Sequence, residues 1–137
     1  MFQGIFQSTT IPVLEQVVNF AQARHEVLAG NIANYGTPGY RARDLSVGDF
    51  QTRLKQAIEV RHSSPSTRSL GDPTRSATPL LADVTRDPKG ILFHDQSDDA
   101  IELQVTEMVK NQMQHNLALA IMTSQMRLLQ TAISERV

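Results

Sequence analysis

Apolar residues recur along residues 11–32 in steps of three and four, the spacing that places side chains on one side of an α-helix. Pro12 is tolerated in the first turn of such a helix, and Ser8, Thr9 or Thr10 can supply its N-cap. The pattern predicts a helix from about residue 11 to residue 34, roughly 36 Å long at about 1.5 Å per residue. The apolar residues with heptad spacing form the seam of this helix, and His25 interrupts it. The seam consists of Ile11, Leu14, Val18, Ala21, Leu28 and Ile32.

A longer pattern of the same kind occupies the end of the chain. Asp98 and Asp99 stand at its start, where carboxylates interact favourably with the positive end of a helix dipole. We predict a helix from about residue 99 to residue 134, roughly 54 Å long at about 1.5 Å per residue. Its seam alternates steps of four and three without a slip and consists of Ile101, Val105, Met108, Gln112, His115, Leu119, Met122, Met126, Leu129 and Ile133.

The C-terminal helix carries more apolar surface than the shorter N-terminal helix can cover. A second apolar set widens its stripe and consists of Val109, Met113, Leu117, Ala120, Ile121 and Leu128. The sequence therefore predicts a mainly α fold in which long N- and C-terminal helices pair as an antiparallel coiled coil. Because two helices cannot bury a two-sided stripe, we expect the protein to oligomerise.

The middle of the chain, residues 41–97, has a different character. Residues 49–60 favour a short helix with Phe50, Leu54, Ala57 and Ile58 facing inward. Residues 61–79 have the Ser, Pro and Gly content of turns and loops. Residues 80–84 and 91–94 could pair as short strands across a turn at 87–90. We expect one structural unit in three segments: 1–40, an irregular, partly β segment 41–97, and 98–137.

The first helix is predicted to end abruptly. Asn34 or Gly36 can adopt the left-handed conformation that terminates helices, and Pro38 cannot continue one. Residues 37–40, Thr-Pro-Gly-Tyr, favour a type II turn with Pro at its second position and Gly39 at its third. Asn31 and Asn34 lie on one side of the last helical turn, where their amides can cap carbonyls or bond to neighbouring backbone. Taken by themselves, these local features favour a stable helix terminus followed by a turn.

Residues 31–40 also resemble the N-terminal signature of the bacterial flagellar axial proteins, which are the rod, hook and hook-associated proteins. In that family an N-x-A-N helix end precedes a T-x-G-Y turn, and the undivided Thr-Pro-Gly-Tyr is most similar to the rod members. Residues 107–108, 111–113 and 127–133 resemble the closing helix of the same proteins, so the resemblance covers about residues 14–50 and 98–134. The motif residues are Asn31, Ile32, Ala33, Asn34, Thr37, Pro38, Gly39 and Tyr40.

The resemblance implies a structural subunit of the proximal rod of the flagellar basal body, part of the torque-transmitting drive shaft, and not an enzyme. It implies further copies of the chain, the rod proteins FlgC, FlgF and FlgG, and the base component FliE as partners. It also implies a periplasmic location, reached through the flagellar type III export apparatus without a cleaved signal peptide. Phe2 and Phe6, four residues apart, would be the short aromatic element that contacts the export gate.

Composition narrows the kinds of partner and binding site that the chain can have. The 137 residues carry a formal net charge of −1, which gives no electrostatic reason to expect a nucleic-acid partner. The chain contains no cysteine, which excludes disulfides and thiolate metal sites. We find no run of about 20 apolar residues that could insert into a membrane, and no phosphate-binding or hydrolase motif. No cofactor and no metal are therefore expected.

His25 provides the one alternative function. The sequence Arg24-His25-Glu26 faintly resembles histidine phosphotransfer helices, in which the phosphorylated histidine lies beside a glutamate. The alternative is therefore a cytosolic helical-bundle signalling protein. A phosphate acceptor must face solvent, however, and His25 falls on the apolar seam. A buried or interface histidine is the favoured interpretation.

Overall fold

The computed structural model describes residues 10–63, 85–86, 88–90 and 98–134. Its elements are α1 (Ile11–Ala33), β1 (Arg43–Asp44), α2 (Val47–Ser63), β2 (Lys89–Gly90) and α3 (Asp98–Ser134). The two long helices and the short helix between them are confirmed within a few residues. The predicted pairing of residues 80–84 with 91–94 lies outside the described residues.

Helices α1 and α3 pack against each other along most of α1, and their contacts run in opposite order along the chain. Asn31, near the end of α1, bonds to Gln104 near the start of α3. Thr10, just before α1, accepts a hydrogen bond from Gln125 towards the end of α3. The 37 residues of α3 exceed the 23 of α1, so α3 extends past the beginning of its partner.

The buried seam differs from the predicted one by a rotation of each helix. On α1 the buried positions include Arg24 and Asn31 rather than His25 and Ile32, and on α3 they include Gln104 and Asn111. The physical reason is that these polar side chains find hydrogen-bond partners inside the interface. Of the predicted seam, Ile11, Ala21 and Leu28 are buried, and Val105, Gln112, Met126 and Ile133 are exposed. The half-buried remainder is Leu14, Val18, Ile32, Ile101, Met108, His115, Leu119, Met122 and Leu129.

Helix α2 closes a small apolar core against α1. The rings of Phe20 and Phe50 stack with their centroids 4.0 Å apart and their planes at 8°. Leu45, just after β1, is 1% exposed beneath them. Phe50 and Ala57 are buried as the sequence predicts, and Phe50 lies on the face that α2 presents to α1. Half-buried side chains surround this core: Val17, Ala23, Val27, Val47 and Leu54.

Strands β1 and β2 form a two-residue antiparallel pair, with Arg43 opposite Gly90 and Asp44 opposite Lys89. The prediction that Lys89 and Gly90 belong to a hairpin turn was wrong. They pair instead with the segment that leaves the Thr-Pro-Gly-Tyr turn. Lys89 Nζ also donates a hydrogen bond to Asp49 Oδ2 at 2.8 Å, an exposed ion pair that links β2 to the start of α2.

An apolar groove of about 280 Å³ separates the three helices where they face one another. The helices therefore do not cover all of the apolar surface that they bring together. The groove is lined by Leu14, Val17, Phe20, Ala21, Val47, Phe50, Gln51, Leu54, Gln114, Leu117, Ala118 and Ile121.

No helix among the described residues is both long enough and apolar enough to cross a lipid bilayer.

Candidate functional site

The end of α1 is closed by side-chain capping rather than by a left-handed residue. Asn34 has φ −105° and ψ 11°, and neither it nor Gly36 has a positive φ, so that part of the prediction was wrong. Asn34 instead donates from both its backbone N–H, at 3.1 Å, and its side-chain Nδ2, at 2.8 Å, to the carbonyl of Gly30. The backbone bond is the ordinary helical one to the residue four positions earlier, and the side-chain bond adds a second donor to the same carbonyl at the helix end.

The chain then reverses direction in the predicted turn. Tyr40 N–H donates to the carbonyl of Thr37 at 3.1 Å. Gly39 has φ +81°, and it is the one residue in the described part of the chain with a positive φ. This combination is typical of a type II turn, in which the third position has a positive φ and therefore favours glycine. Thr37, Pro38 and Gly39 are exposed, so the turn is presented to solvent.

Asn31 connects this turn to the rest of the molecule through four hydrogen bonds. Its Nδ2 donates to the carbonyl of Arg43 at 2.6 Å and to Gln104 Oε1 at 3.1 Å. Its Oδ1 accepts from the N–H of Arg43 at 3.1 Å and from the Tyr40 hydroxyl at 3.2 Å. Both donors and both lone pairs of the amide are therefore used. One buried side chain joins α1, the turn, β1 and α3.

Arg24 makes a second connection one heptad earlier on the same face of α1. Its Nε and Nη2 bind the two carboxylate oxygens of Asp44 at 2.9 and 2.6 Å, a bidentate geometry. Nη2 also donates to Glu107 Oε2 at 3.0 Å. The Arg24 side chain is 6% exposed, so its charge is neutralised by two carboxylates within a largely desolvated site. Arg24 thus holds β1 and α3 against α1.

The charges of this cluster stabilise one another. The hydrogen bond to Asp44 raises the pKa of Arg24 above its ordinary value, against the opposing effect of burial. Hydrogen bonds from Lys110 and then from Arg24 lower the pKa of Glu107. Glu107 remains ionised at neutral pH, and its Oε1 accepts from Lys110 Nζ at 2.8 Å. The shifts of Arg24 and Glu107 therefore both favour the charged form.

Several residues of this site are absent from the predicted set. Gln104, Glu107 and Asn111 of α3 contact α1 through polar atoms, and Asn111 Nδ2 donates to the carbonyl of Ala21 at 2.7 Å. The available signal is the seven-residue spacing that separates Arg24 from Asn31 and Gln104 from Asn111. Both pairs recur with the same seven-residue spacing as neighbouring apolar residues. The same spacing is also typical of solvent-facing residues, so it identifies the site only once the partners are known.

Among the described residues, nothing favours the phosphotransfer alternative. His25 is half-buried, and its Nδ1 is buried without a hydrogen-bond partner. No group of three or more His, Asp or Glu side chains in the described segments could hold a metal ion.

An apolar stripe on α3 is left exposed by the rest of the described chain and reaches the groove, which its last two residues, Leu117 and Ile121, also line. Five of its residues follow one another in steps of four, and Met113 and Leu117 are 68% and 63% exposed. A long exposed apolar stripe with few charged residues beside it is typical of a protein–protein interface. We call these five residues the outer stripe: Val105, Val109, Met113, Leu117 and Ile121.

The chain was compared with known proteins. No protein-family model matches it. It is similar to the flagellar basal body rod protein FlgB of Escherichia coli K12, with 29% identity over 120 residues, which cover 82% of this chain and 84% of that protein. FlgB of Aquifex aeolicus is 24% identical over 126 residues, 92% of this chain and 94% of the relative. FlgB of Yersinia enterocolitica is 39% identical over 56 residues, 41% of this chain and 39% of the relative.

Proposed function

We propose that this chain is a structural subunit of a bacterial flagellar basal body rod and a member of the FlgB family. The observation that carries the proposal is the similarity to FlgB proteins over more than four fifths of both chains. The Asn31–Tyr40 motif supports it, because the motif residues form the contacts that hold the paired helices and the turn together. No enzymatic activity is part of the proposal.

The geometry suggests how such a subunit works. The polar contacts of Arg24 and Asn31 hold α1, β1 and α3 as one body, so a load on α3 is transferred to the turn and to α2. The outer stripe is left for neighbouring subunits, whose helices would complete the coiled-coil packing that a single chain cannot. Packing of this kind builds a polymer whose helices lie inside and whose turns and middle segment lie outside.

The finer assignments follow from the same proposal. The rod segment is the proximal one, and its neighbours are further copies of the chain, the rod proteins FlgC, FlgF and FlgG, and the base component FliE. The subunit reaches the periplasm through the flagellar type III export apparatus without a cleaved signal peptide. The outer stripe acquires its final packing only in the polymer, because it lacks partners before assembly.

Incorporation into the rod tests the proposal directly. A tagged copy of the chain is expressed in the source bacterium after deletion of the native copy, and basal bodies are purified. We expect the tagged chain in these basal bodies and restored motility. Met113→Gln combined with Leu117→Gln should fold normally but fail to incorporate, because it makes the outer stripe polar. Thr106→Gln, a polar exchange at an exposed position of α3, is the matched control. Purified basal bodies that lack the unmodified chain would refute the rod assignment.

A further inference from the structure

The described part of the chain has two uncovered apolar surfaces, one protruding and one recessed. The protruding surface is the first part of the outer stripe, Val105, Val109 and Met113, which are 45%, 54% and 68% exposed and do not line the groove. We call these three residues the ridge. The recessed surface is the apolar groove between the three helices. Leu117 and Ile121 continue the ridge and line the groove, so the two surfaces follow one another along α3.

The two surfaces match in chemistry. Residues four apart on a helix form a row inclined to the helix axis by about 26°, and such rows pack into the grooves of neighbouring helices. Among the described residues that line the groove, none carries a charge. Residues 111–126 of α3 contain no Asp, Glu, Lys or Arg. An apolar row can therefore enter the groove without removing a charged side chain of the groove from water.

The two surfaces also match in size. A cavity of about 150 Å³ holds one benzene-sized apolar group, so the groove of about 280 Å³ has room for about two apolar side chains. Val109 and Met113 are neighbours on the ridge, about one helical turn apart. Met113 is the most exposed member of the outer stripe, and its flexible thioether side chain adapts to irregular recesses.

The ridge cannot fill the groove of its own chain. Both surfaces include residues of the continuous helix α3, which fixes their relative positions. A symmetric dimer that places ridge against ridge would leave both grooves open. When the ridge of one copy enters the groove of the next, both surfaces are covered. The same contact then repeats from copy to copy and builds an open series of subunits, unless it closes into a ring.

We propose that the groove between α1, α2 and α3 binds the ridge of a second copy of this chain, with Val109 and Met113 of that copy inserted into it. The interface is head-to-tail, so different residues of the two copies meet. It rests on the proposed function for its setting, a polymer of like subunits, and it adds the surface that receives the outer stripe. The contacts of Arg24 and Asn31 stay as they are within each copy.

Two variants test the contact by complementation. Val109→Gln with Met113→Gln makes the ridge polar. Gln51→Glu with Gln114→Glu places two carboxylates in the groove with almost no change in volume. All four positions are exposed, so both variants should keep the fold, which circular dichroism melts verify. We expect each variant alone to self-associate at least about tenfold more weakly than the unmodified chain in sedimentation equilibrium.

An equimolar mixture of the two variants should form a dimer that does not grow with concentration. One intact ridge and one intact groove remain in the mixture, and they belong to different copies. The unmodified chain should grow past the dimer as its concentration rises. Gln22→Glu with Gln130→Glu is the control, because it makes the same exchange at exposed positions outside the groove. This control should associate like the unmodified chain.

Three results would overturn the proposal. The first is an unmodified chain that stays monomeric at about 1 mM, since the ridge and groove would then bind another protein. The second is a groove variant that associates as strongly as the unmodified chain, as a contact between two ridges predicts. The third is a mixture of folded variants that forms no dimer.

Disulfide trapping tests the same contact without weakening it, because the chain has no native cysteine. Copies with Met113→Cys should form mixed disulfides with copies that carry Gln51→Cys at least about tenfold faster than with copies that carry Gln22→Cys. Gln22 is the matched control, an exposed glutamine of α1 outside the groove. Disulfides formed mainly between two Met113→Cys copies would indicate a symmetric contact and contradict the proposal.

These measurements are independent of incorporation into basal bodies. A chain that is incorporated but shows no complementation would keep the rod assignment and exclude the groove as the receiving surface. Complementation without incorporation would support the head-to-tail contact and refute the rod assignment.

Discussion

The two halves of the α1–α3 pair are built in different ways. Near the turn, Arg24, Asn31, Gln104 and Asn111 fill the interface with hydrogen bonds and ion pairs. Towards the start of α1, the contacts are mostly apolar apart from the Thr10–Gln125 hydrogen bond, and an open groove remains. Polar contacts have direction and are expensive to leave unmade, so they permit one register. Apolar contacts have no direction, so the other half can accept additional partners.

In the proposed role as a rod subunit, this difference would let the chain keep its own shape and still bind several neighbours. The half that fixes the register is also the half that holds the turn motif. The half that remains open has most of its apolar side chains half-buried, and the outer stripe adjoins it. The strongest test of the comparison is to remove the polar contacts one at a time.

Arg24→Met should have the largest effect on stability. The variant keeps most of the side-chain volume but leaves Asp44 and Glu107 without their shared cation. We expect the free energy of unfolding to fall by about 3 kcal/mol, the size seen when one partner of a buried ion pair is lost. Urea denaturation measures it. The control is Lys110→Met, which removes an exposed partner of Glu107 and should cost less than about 1 kcal/mol. Equal losses would mean that burial of Arg24 contributes nothing.

Asn31→Ala should rank second, with a loss of about 2 kcal/mol, because it leaves backbone and side-chain groups of Arg43 and Gln104 without partners. Asn34→Ala is matched in chemistry and lies three residues away. It should cost less than about 1 kcal/mol, because the Gly30 carbonyl keeps its bond from the Asn34 backbone. The same denaturation measurement compares them, and a larger loss for Asn34→Ala would reverse the assignment of Asn31 as the central contact.

Gly39→Val should cost about 1 to 2 kcal/mol through backbone strain alone, since a β-branched residue resists a φ of +81°. Apart from Gly39 and its two chain neighbours, no residue has an atom within 4 Å of the position that the Cβ would occupy, so steric overlap of the Cβ adds nothing there. Gly36→Ala, in equally open space and without a positive φ, should change stability by less than about 0.5 kcal/mol. Thermal unfolding of the two variants measures the difference. Identical melting temperatures would exclude the type II turn in solution.

The smallest expected effect is on how the free energy of unfolding depends on pH. The pKa of Glu107 is lower in the folded chain than in the unfolded chain, so its contribution is complete above the ordinary glutamate pKa of about 4.3. The contribution is lost as the pH falls through the lower folded value. Glu107→Gln should therefore make the unfolding free energy less sensitive to pH below about 4.3, by less than about 1 kcal/mol. Parallel pH profiles for the variant and the unmodified protein would show that Glu107 is not stabilised by its neighbours.

The sequence by itself determined the local elements. Helical periodicity placed α1, α2 and α3 within a few residues, and the conformational needs of Pro38 and Gly39 fixed the turn. These features depend mainly on interactions between residues close in the chain, so periodicity and turn chemistry indicate them. The left-handed helix end at Asn34 or Gly36 was a local prediction that the structure does not contain. The excess of apolar surface on α3 was also readable from its pattern.

Only the tertiary structure decided which side of each helix is buried. A wide apolar stripe permits several rotations, and the predicted seam chose His25 and Ile32 where the structure buries Arg24 and Asn31. The choice depends on partners distant in sequence: Asp44, 20 residues away, and Gln104 and Glu107, 73 and 83 residues away. A polar residue is stable in an interface only when those partners are in place, and periodicity carries no information about them.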